Sequence, residues 1–119
     1  MKAVKDYSDY LNDIVEYAAK AESFLSGITL KNFKANEEKT LAVIRALEVI
    51  GEAARNIPKQ IRKKYPEVPW DEMTGMRDKL IHDYFGVNLE VVWRTVKEDL
   101  PSMSKAVKEM IQALKAHKS

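Results

Sequence analysis

The sequence predicts an all-α fold, an antiparallel helical bundle of four or five main helices within a single domain spanning residues 1–119. Apolar residues recur at steps of three and four through most of the chain, the spacing of one helix face. No stretch alternates with period two for long enough to form a strand. Apolar residues make up 45% of the chain, and only four Gly and four Pro interrupt it, so we expect an ordered core.

The first predicted helix ends at Gly27, because glycine suits the left-handed conformation that often terminates a helix. Residues 28–35 are predicted to form a loop in which Leu30 and Phe33 pack against the bundle. The helix itself is marked by a narrow apolar seam: Val4, Tyr7, Leu11, Ile14, Ala18, Ala21 and Leu25.

The second predicted helix runs from about Glu37 to Asn56, and the Asn36 side chain can cap its first turn. Its apolar face is broad, which predicts a central helix with neighbours on more than one side. Gly51 costs about 1 kcal/mol relative to alanine inside a helix, so we expect it to permit the close approach of another helix. The predicted face comprises Leu41, Ile44, Leu47, Ile50, Ala54 and Ile57, and Val43 and Val49 widen it.

Proline marks the next boundary, because Pro58 suits the first position of a short helix ending near Tyr65. A third long helix is then expected from Trp70, a predicted core anchor, to about Asp83.

Asn88 can cap a further helix, and Pro101 interrupts that helix. The apolar spacing nevertheless continues across the proline to Leu114, so either a kinked helix or two nearly collinear helices would fit.

Composition restricts the chemistry. The chain has no cysteine, which excludes disulfides and thiol catalysis, and its two histidines, 35 positions apart, make a structural zinc site improbable. We therefore expect no metal and no cofactor. A net charge of +2 tolerates an RNA partner without requiring one. No signal peptide or membrane-spanning run is visible, so a cytoplasmic protein without membrane contacts is expected.

Arg77 is the most informative residue because it breaks the apolar pattern of its helix. At roughly 100° per residue it lies about 40° from Met73, on the stripe that continues through Met76, Leu80 and Tyr84. A guanidinium on such a face needs an anionic partner or a cleft that admits an anionic ligand. The sequence allows both: a structural pair with Glu48 or Glu52, or a ligand site.

His82 lies about 140° around the same helix from Arg77 and roughly 7.5 Å further along its axis. Two side chains so placed on one straight helix cannot easily bind the same small anion. Either the helix unwinds near His82 or a second copy of the chain supplies the missing group. A homodimer with its two-fold axis beside this helix would bring both pairs into one cleft.

The other polar residues have simple structural interpretations. Glu52 and Arg55 are expected to form intrahelical ion pairs. The basic run 62–64 is expected to be a solvated face, with RNA contact as the alternative. His82 taken alone suits a helix end, where it would interact with the dipole, and Tyr84 taken alone suits a core aromatic.

The motif Arg77-x4-His82-x-Tyr84, with Gly75 before it and Asp78 within it, resembles the signature of the HEPN superfamily. More specifically, the chain resembles the HepT-like (formerly DUF86) toxins of HepT/MntA toxin–antitoxin pairs. Further matching segments lie along most of the chain: Ile50-Gly-Glu-Ala-Ala54, Pro66-x-x-Pro-Trp70, Gly86-Val-Asn88, Val92-Trp93 and Asp99-Leu-Pro101. One departure is Asp78, where many family members have asparagine.

This resemblance implies a HEPN-like helical homodimer that cleaves RNA without a metal, in a cleft lined by both copies of the motif. Arg77 and His82 would be the catalytic pair, with Asp78 and Glu52 supporting the phosphate cleft. Tyr84 would be the residue that a cognate nucleotidyltransferase antitoxin of the MntA type modifies with AMP.

Two other hypotheses remain open at this stage. In one, the chain is a non-catalytic subunit that binds a nucleotide or presents Tyr84 to a nucleotidyltransferase. In the other, it is a plain helical dimerisation module in which Arg77 pairs with Glu52.

Overall fold

The computed structural model describes residues 6–82 and 86–118, except for the side chains at 81, 82, 117 and 118. All regular structure in these residues is helical, which confirms the all-α prediction. A π-helical turn, Thr95–Asp99, joins the last two α-helices. The α-helices are α1 Tyr7–Phe24, α2 Leu30–Ala35, α3 Glu37–Arg55, α4 Lys59–Lys64, α5 Trp70–His82, α6 Leu89–Arg94 and α7 Leu100–Lys118.

Helix α3 is central, as its broad apolar face predicts. It packs against α1 on one side and α5 on the other, while α1 also packs against α7. The large side chains that are completely or almost completely buried come from all of these helices, among them Leu11, Phe33, Leu47, Ile50, Met73 and Met110. Burying a side chain of this size stabilises the fold by roughly 1.5–3 kcal/mol. No helix in the described residues is long and apolar enough to span a membrane.

The segment after α1 differs from its prediction as a loop. Thr29 accepts a hydrogen bond at its Oγ1 from the backbone N–H of Asn32 (3.2 Å), and this cap starts the short helix α2. Phe33 is fully buried, as expected. Gly27 has the predicted positive φ of 70°, one residue beyond the C′ position because α1 ends at Phe24.

Three side chains from other helices bind carbonyl groups at the end of α1 and in the segment just after it. Lys39 donates to the Phe24 carbonyl (3.1 Å) and Lys97 to the Leu25 carbonyl (2.6 Å). The indole N–H of Trp93 donates to the carbonyl of Ile28 (3.2 Å). The last carbonyls of a helix lack intrahelical partners, and the two lysines bind such carbonyls at the last residue and the C-cap of α1, whereas Trp93 binds the segment that follows.

Two details of α3 and α4 correct the sequence analysis. Leu41, assigned to the buried face of α3, is 61% exposed, whereas Val43 is fully buried in the core. The contact face of α3 is therefore rotated away from Leu41 at its first turns. Pro58 is the N-cap of α4 and not its first residue, while Trp70 is buried as predicted and its indole N–H donates to the Tyr65 carbonyl (3.0 Å).

The helix around Pro101 combines the two predicted alternatives. Asn88 caps α6, its Oδ1 accepting from the N–H groups of Glu90 (3.0 Å) and Val91 (3.2 Å). Helical structure then continues from Leu89 to Lys118 through the π-helical turn, with Pro101 at the second position of α7. Proline has no N–H and its ring clashes with the carbonyl four residues earlier, so a locally widened turn accommodates it without ending the helix.

Gly51 allows the close approach of α5 to α3, as its position predicts. A Cβ at this position would lie 2.8 Å from the Met73 carbonyl oxygen and would overlap the Arg77 side chain. The contact thus brings the backbone of α3 against the second and third turns of α5, which contain Met73 and Arg77.

We predict that Gly51→Ala destabilises the protein. The overlap should cost about 1–3 kcal/mol and outweigh the gain of about 1 kcal/mol in helix propensity. Gly75→Ala is the matched control, because Gly75 lies within α5 with no atom within 4 Å of an added Cβ. Urea unfolding should show a loss of stability for Gly51→Ala and a gain of about 0.5–1 kcal/mol for Gly75→Ala. Equal gains in the two variants would contradict the close contact.

Candidate active site

The candidate site lies where α5 crosses the second half of α3. Because Gly51 lets the two helices approach, the next charged residues of α3, Glu52 and Arg55, lie beside Arg77 and Asp78 of α5. Four charges of alternating sign thus meet on one side of the bundle.

Arg77 binds two carboxylates through different nitrogen atoms. Its Nη2 lies 2.9 Å from Glu52 Oε2, and its Nη1 donates to Asp78 Oδ1 at 3.2 Å. On the same helix Met73 is fully buried and Leu80 nearly so, which confirms their place on the apolar stripe. Arg77 lies at the border of that stripe, and its side chain is 27% exposed.

The pairing of Arg77 with Glu52 is the contact that the structural interpretation predicts. It is not buried, since the Glu52 side chain is 51% exposed. An exposed ion pair of this kind contributes roughly 0–1 kcal/mol. The pair therefore stabilises the fold little and leaves the guanidinium accessible from solvent.

Asp78 bridges the two arginines. The Nη2 atom of Arg55 donates to both carboxylate oxygens of Asp78, with a distance of 2.6 Å to Oδ2. The Oδ1 atom of Asp78 also accepts from Arg77. The hydrogen bond from Arg55 lowers the pKa of Asp78 below its ordinary value, and Arg77 adds to the effect. Asp78 is therefore an anion at neutral pH, held between two cations.

The expected intrahelical pairing of Glu52 with Arg55 is wrong. Glu52 binds Arg77 and Arg55 binds Asp78, so both α3 charges have partners on α5. The neighbouring helix offers each charge an opposite one, and Asp78 presents both of its carboxylate oxygens to Arg55.

The remaining predicted site residues are defined only in part. Helix α5 extends to His82, so its backbone position stays about 140° and roughly 7.5 Å from that of Arg77. The side chain of His82 and the whole of Tyr84 lie outside the described part of the structure. The predictions for these two groups therefore remain predictions.

An apolar cavity of about 170 Å³ lies between α5 and the helices that follow it. Its walls include Met76 and Leu80 from α5, and Val91, which is 49% exposed. The α5 surface is thus apolar on the side facing α6 and charged on the side that carries Arg77 and Asp78.

Helix α4 carries the basic run that the sequence analysis noted. Lys59, Lys63 and Lys64 are exposed, whereas the Nε of Arg62 is buried without a hydrogen-bond partner. The structure leaves both interpretations of residues 62–64 in place, because an exposed basic helix suits solvent and RNA alike.

Sequence comparisons identify the family. A family model for the HepT-like ribonucleases matches residues 14–110. The chain belongs to the HepT-like ribonuclease family.

Curated relatives extend this match over almost the whole HepT-like chain. A Thermococcus cleftensis protein named "Probable ribonuclease HepT" is 50% identical over 99 residues, covering 83% of this chain and 90% of the relative. Two proteins named "Putative RNase" follow. The Caldanaerobacter subterraneus protein is 41% identical, covering 94% and 97%, and one from Methanocaldococcus jannaschii is 44% identical, covering 91% and 89%. No solved structure gives a significant match.

The structure adds Arg55 to the site, a residue that was expected to pair with Glu52 on its own helix. Arg55 lies 23 positions before Asp78, yet it is the principal partner of that carboxylate. On α3 the acid, Glu52, precedes the base, Arg55. On α5 the base, Arg77, precedes the acid, Asp78. This opposite order of charges is a signal that could have suggested pairing between the two helices.

We predict a pH-dependent effect of Asp78→Asn on stability. The folded-state pKa of Asp78 lies below its ordinary value of 3.8, so the charged carboxylate stabilises the fold above that value. This contribution is lost as the pH falls through the lowered folded-state pKa. Thermal unfolding should therefore show Asp78→Asn less stable than the parent near neutral pH, with the difference shrinking well below pH 3.8. A difference that stays constant with pH would contradict the pairing.

Proposed function

We propose that this chain is a metal-independent endoribonuclease that works as a homodimer, with Arg77 and His82 as its catalytic pair. The observation that carries the proposal is the Arg77 guanidinium, which is partly exposed and bound only through exposed carboxylates in the described part of a HepT-like chain. The names of the relatives point to RNA as the substrate.

The chemistry needs no group beyond those of the motif. The ribose 2′-hydroxyl attacks the adjacent phosphorus, the bond to the 5′-oxygen breaks, and a 2′,3′-cyclic phosphate and a 5′-hydroxyl result. An imidazole that titrates near neutral pH can move the protons, an effect typically worth about 10²–10⁴ in rate. A guanidinium can stabilise the charge that develops on the phosphorane by roughly 3 kcal/mol.

The geometry of α5 supports a composite site. The helix continues to His82, so its backbone does not unwind between Arg77 and that residue. With about 140° between the two positions, one straight copy of α5 cannot easily direct both side chains at one phosphate. We therefore propose that each cleft takes Arg77 from one protomer and His82 from its partner.

Cleavage should occur in EDTA and should fall by at least about 10²-fold in Arg77→Ala and in His82→Ala. Lys79→Ala is the control, since Lys79 is an exposed cation on the same helix. Fluorescent RNA and gel analysis measure the rates, and circular dichroism checks the fold. Full cleavage by both variants would identify a contaminating nuclease, and nucleotide binding without any cleavage would favour the non-catalytic subunit.

Mixing the two inactive variants tests the composite site directly. If chains exchange freely, half of the dimers contain one chain of each kind, and each of these has one intact Arg77–His82 site. The mixture should recover about a quarter of the parent activity. No recovery, with exchange verified by mass spectrometry, would show that both groups act within one protomer.

We further propose that the chain is the toxin of a toxin–antitoxin pair, silenced by transfer of AMP to Tyr84. This proposal rests on the resemblance of the motif to that of HepT/MntA toxins. Because Tyr84 follows the catalytic histidine of the motif by two residues, we expect the added bulk and phosphate charge to interfere with binding of the RNA backbone.

Tyr84→Phe should therefore cleave RNA like the parent but resist silencing. The measurement is RNA cleavage before and after incubation with ATP and a nucleotidyltransferase encoded beside this gene. Intact-mass analysis should show an AMP adduct on the parent only. An adduct of equal yield on Tyr84→Phe would place the modification on another residue.

A further inference from the structure

The two carboxylates that bind Arg77 are held very differently. Asp78 is fixed by Arg55, which donates to both of its oxygens. The Glu52 carboxylate, in contrast, has one other contact among the described residues, a long 3.5 Å approach from the side-chain amide of Asn56. The Glu52 side chain is also half exposed, so one partner of Arg77 is fixed and the other is loosely held.

The loosely held partner occupies the place where a phosphate would bind. Glu52 Oε2 forms an ion pair with Arg77 Nη2 at 2.9 Å, a separation typical of a guanidinium nitrogen and a carboxylate or phosphate oxygen. A phosphodiester carries one negative charge, as the carboxylate does. A phosphate at this nitrogen would add a further anion beside Glu52 and Asp78, and the repulsion favours the departure of Glu52.

We propose that Glu52 is a resident counterion that an RNA phosphate displaces from Arg77, while the Arg55–Asp78 pair keeps Arg77 in position during the exchange. This inference rests on the proposed function and deepens it, since it assigns Glu52 a part in substrate binding. Arg55 becomes a positioning residue that acts through Asp78, and Glu52 competes with the substrate.

The exchange requires that Asp78 stay in place when Glu52 leaves. Without Arg55, the Asp78 carboxylate would be free to turn toward Arg77 and neutralise it. With Arg55 bound to both of its oxygens, Asp78 can offer Arg77 only a lateral contact at 3.2 Å through one of them. The guanidinium thereby keeps its position and retains Nη2 for the incoming phosphate.

Glu52→Gln tests the displacement, because it keeps the shape of the side chain and removes the competing charge. In a His82→Ala background, which prevents cleavage, fluorescein-labelled single-stranded RNA should bind about three- to fivefold more tightly when Glu52 is replaced. Inorganic phosphate, used as a competitor, should also bind more tightly. In the cleaving protein, the KM for RNA should fall by a similar factor.

Glu48→Gln is the matched control. Glu48 lies one turn earlier on α3 and pairs with Arg45 at 3.5 Å, so the substitution changes the net charge equally without touching Arg77. It should leave RNA affinity within about twofold of the parent. If Glu48→Gln tightens binding as much as Glu52→Gln, the effect is general electrostatics and the inference is overturned.

Arg55→Gln tests the positioning pair and should act in the opposite direction. A released Asp78 should weaken RNA binding by about three- to fivefold, and Arg55→Lys should restore part of the loss because a cation still faces Asp78. Thermal unfolding verifies that each variant is folded. Folded Arg55→Gln with unchanged or tighter RNA binding would overturn the positioning role.

The results separate this inference from the proposed function. Cleavage that requires Arg77 and His82, together with no tightening in Glu52→Gln, overturns only the counterion. Tighter phosphate binding in Glu52→Gln, without cleavage by any preparation, supports the counterion and overturns the ribonuclease.

Discussion

The absence of a side chain at position 51 is the constraint on which the candidate site depends. It lets α5 rest directly on the backbone of α3, and at this separation the charged side chains of the two helices reach one another. Glu52 follows the contact point immediately and Arg55 lies one turn later, so both face Arg77 and Asp78. The close packing of α3 and α5 therefore also brings the four charged side chains together.

The charges themselves add little to stability, because all four side chains keep substantial contact with water. Their value lies in arrangement. A guanidinium buried against a carboxylate would be costly to separate, whereas one held loosely at the surface can change partners at small cost. The same pairing that a purely structural helix bundle would show is, at this level of exposure, compatible with a phosphate-binding surface. The contacts of Arg77 alone do not separate a structural ion pair from a phosphate-binding site, whereas the solvent exposure of its partners bears on that choice.

Most of the fold could be predicted from the sequence because helical periodicity and capping residues are local signals. Asn36, Asn88 and Trp70 have the roles that their positions predict. The errors arise where tertiary context decides. Leu41 has the right spacing for the core but is 61% exposed among the described residues, and the partner of Arg55 lies on another helix. Periodicity identified the unusual position of Arg77, but the choice among its partners depended on how closely α5 approaches α3.

The three donors that bind carbonyls at the end of α1 and just after it have a consequence for how the molecule opens. A helix normally frays from its ends, because the terminal carbonyls lose little when water replaces their partners. At this end the partners are Lys39, Lys97 and Trp93, which come from distant parts of the chain. Unwinding the last turn of α1 thus requires that contacts with α3 and the C-terminal helices break together. In the sequence these two lysines look like ordinary surface residues. Their contacts make the end of α1 unfold together with the rest of the helical bundle.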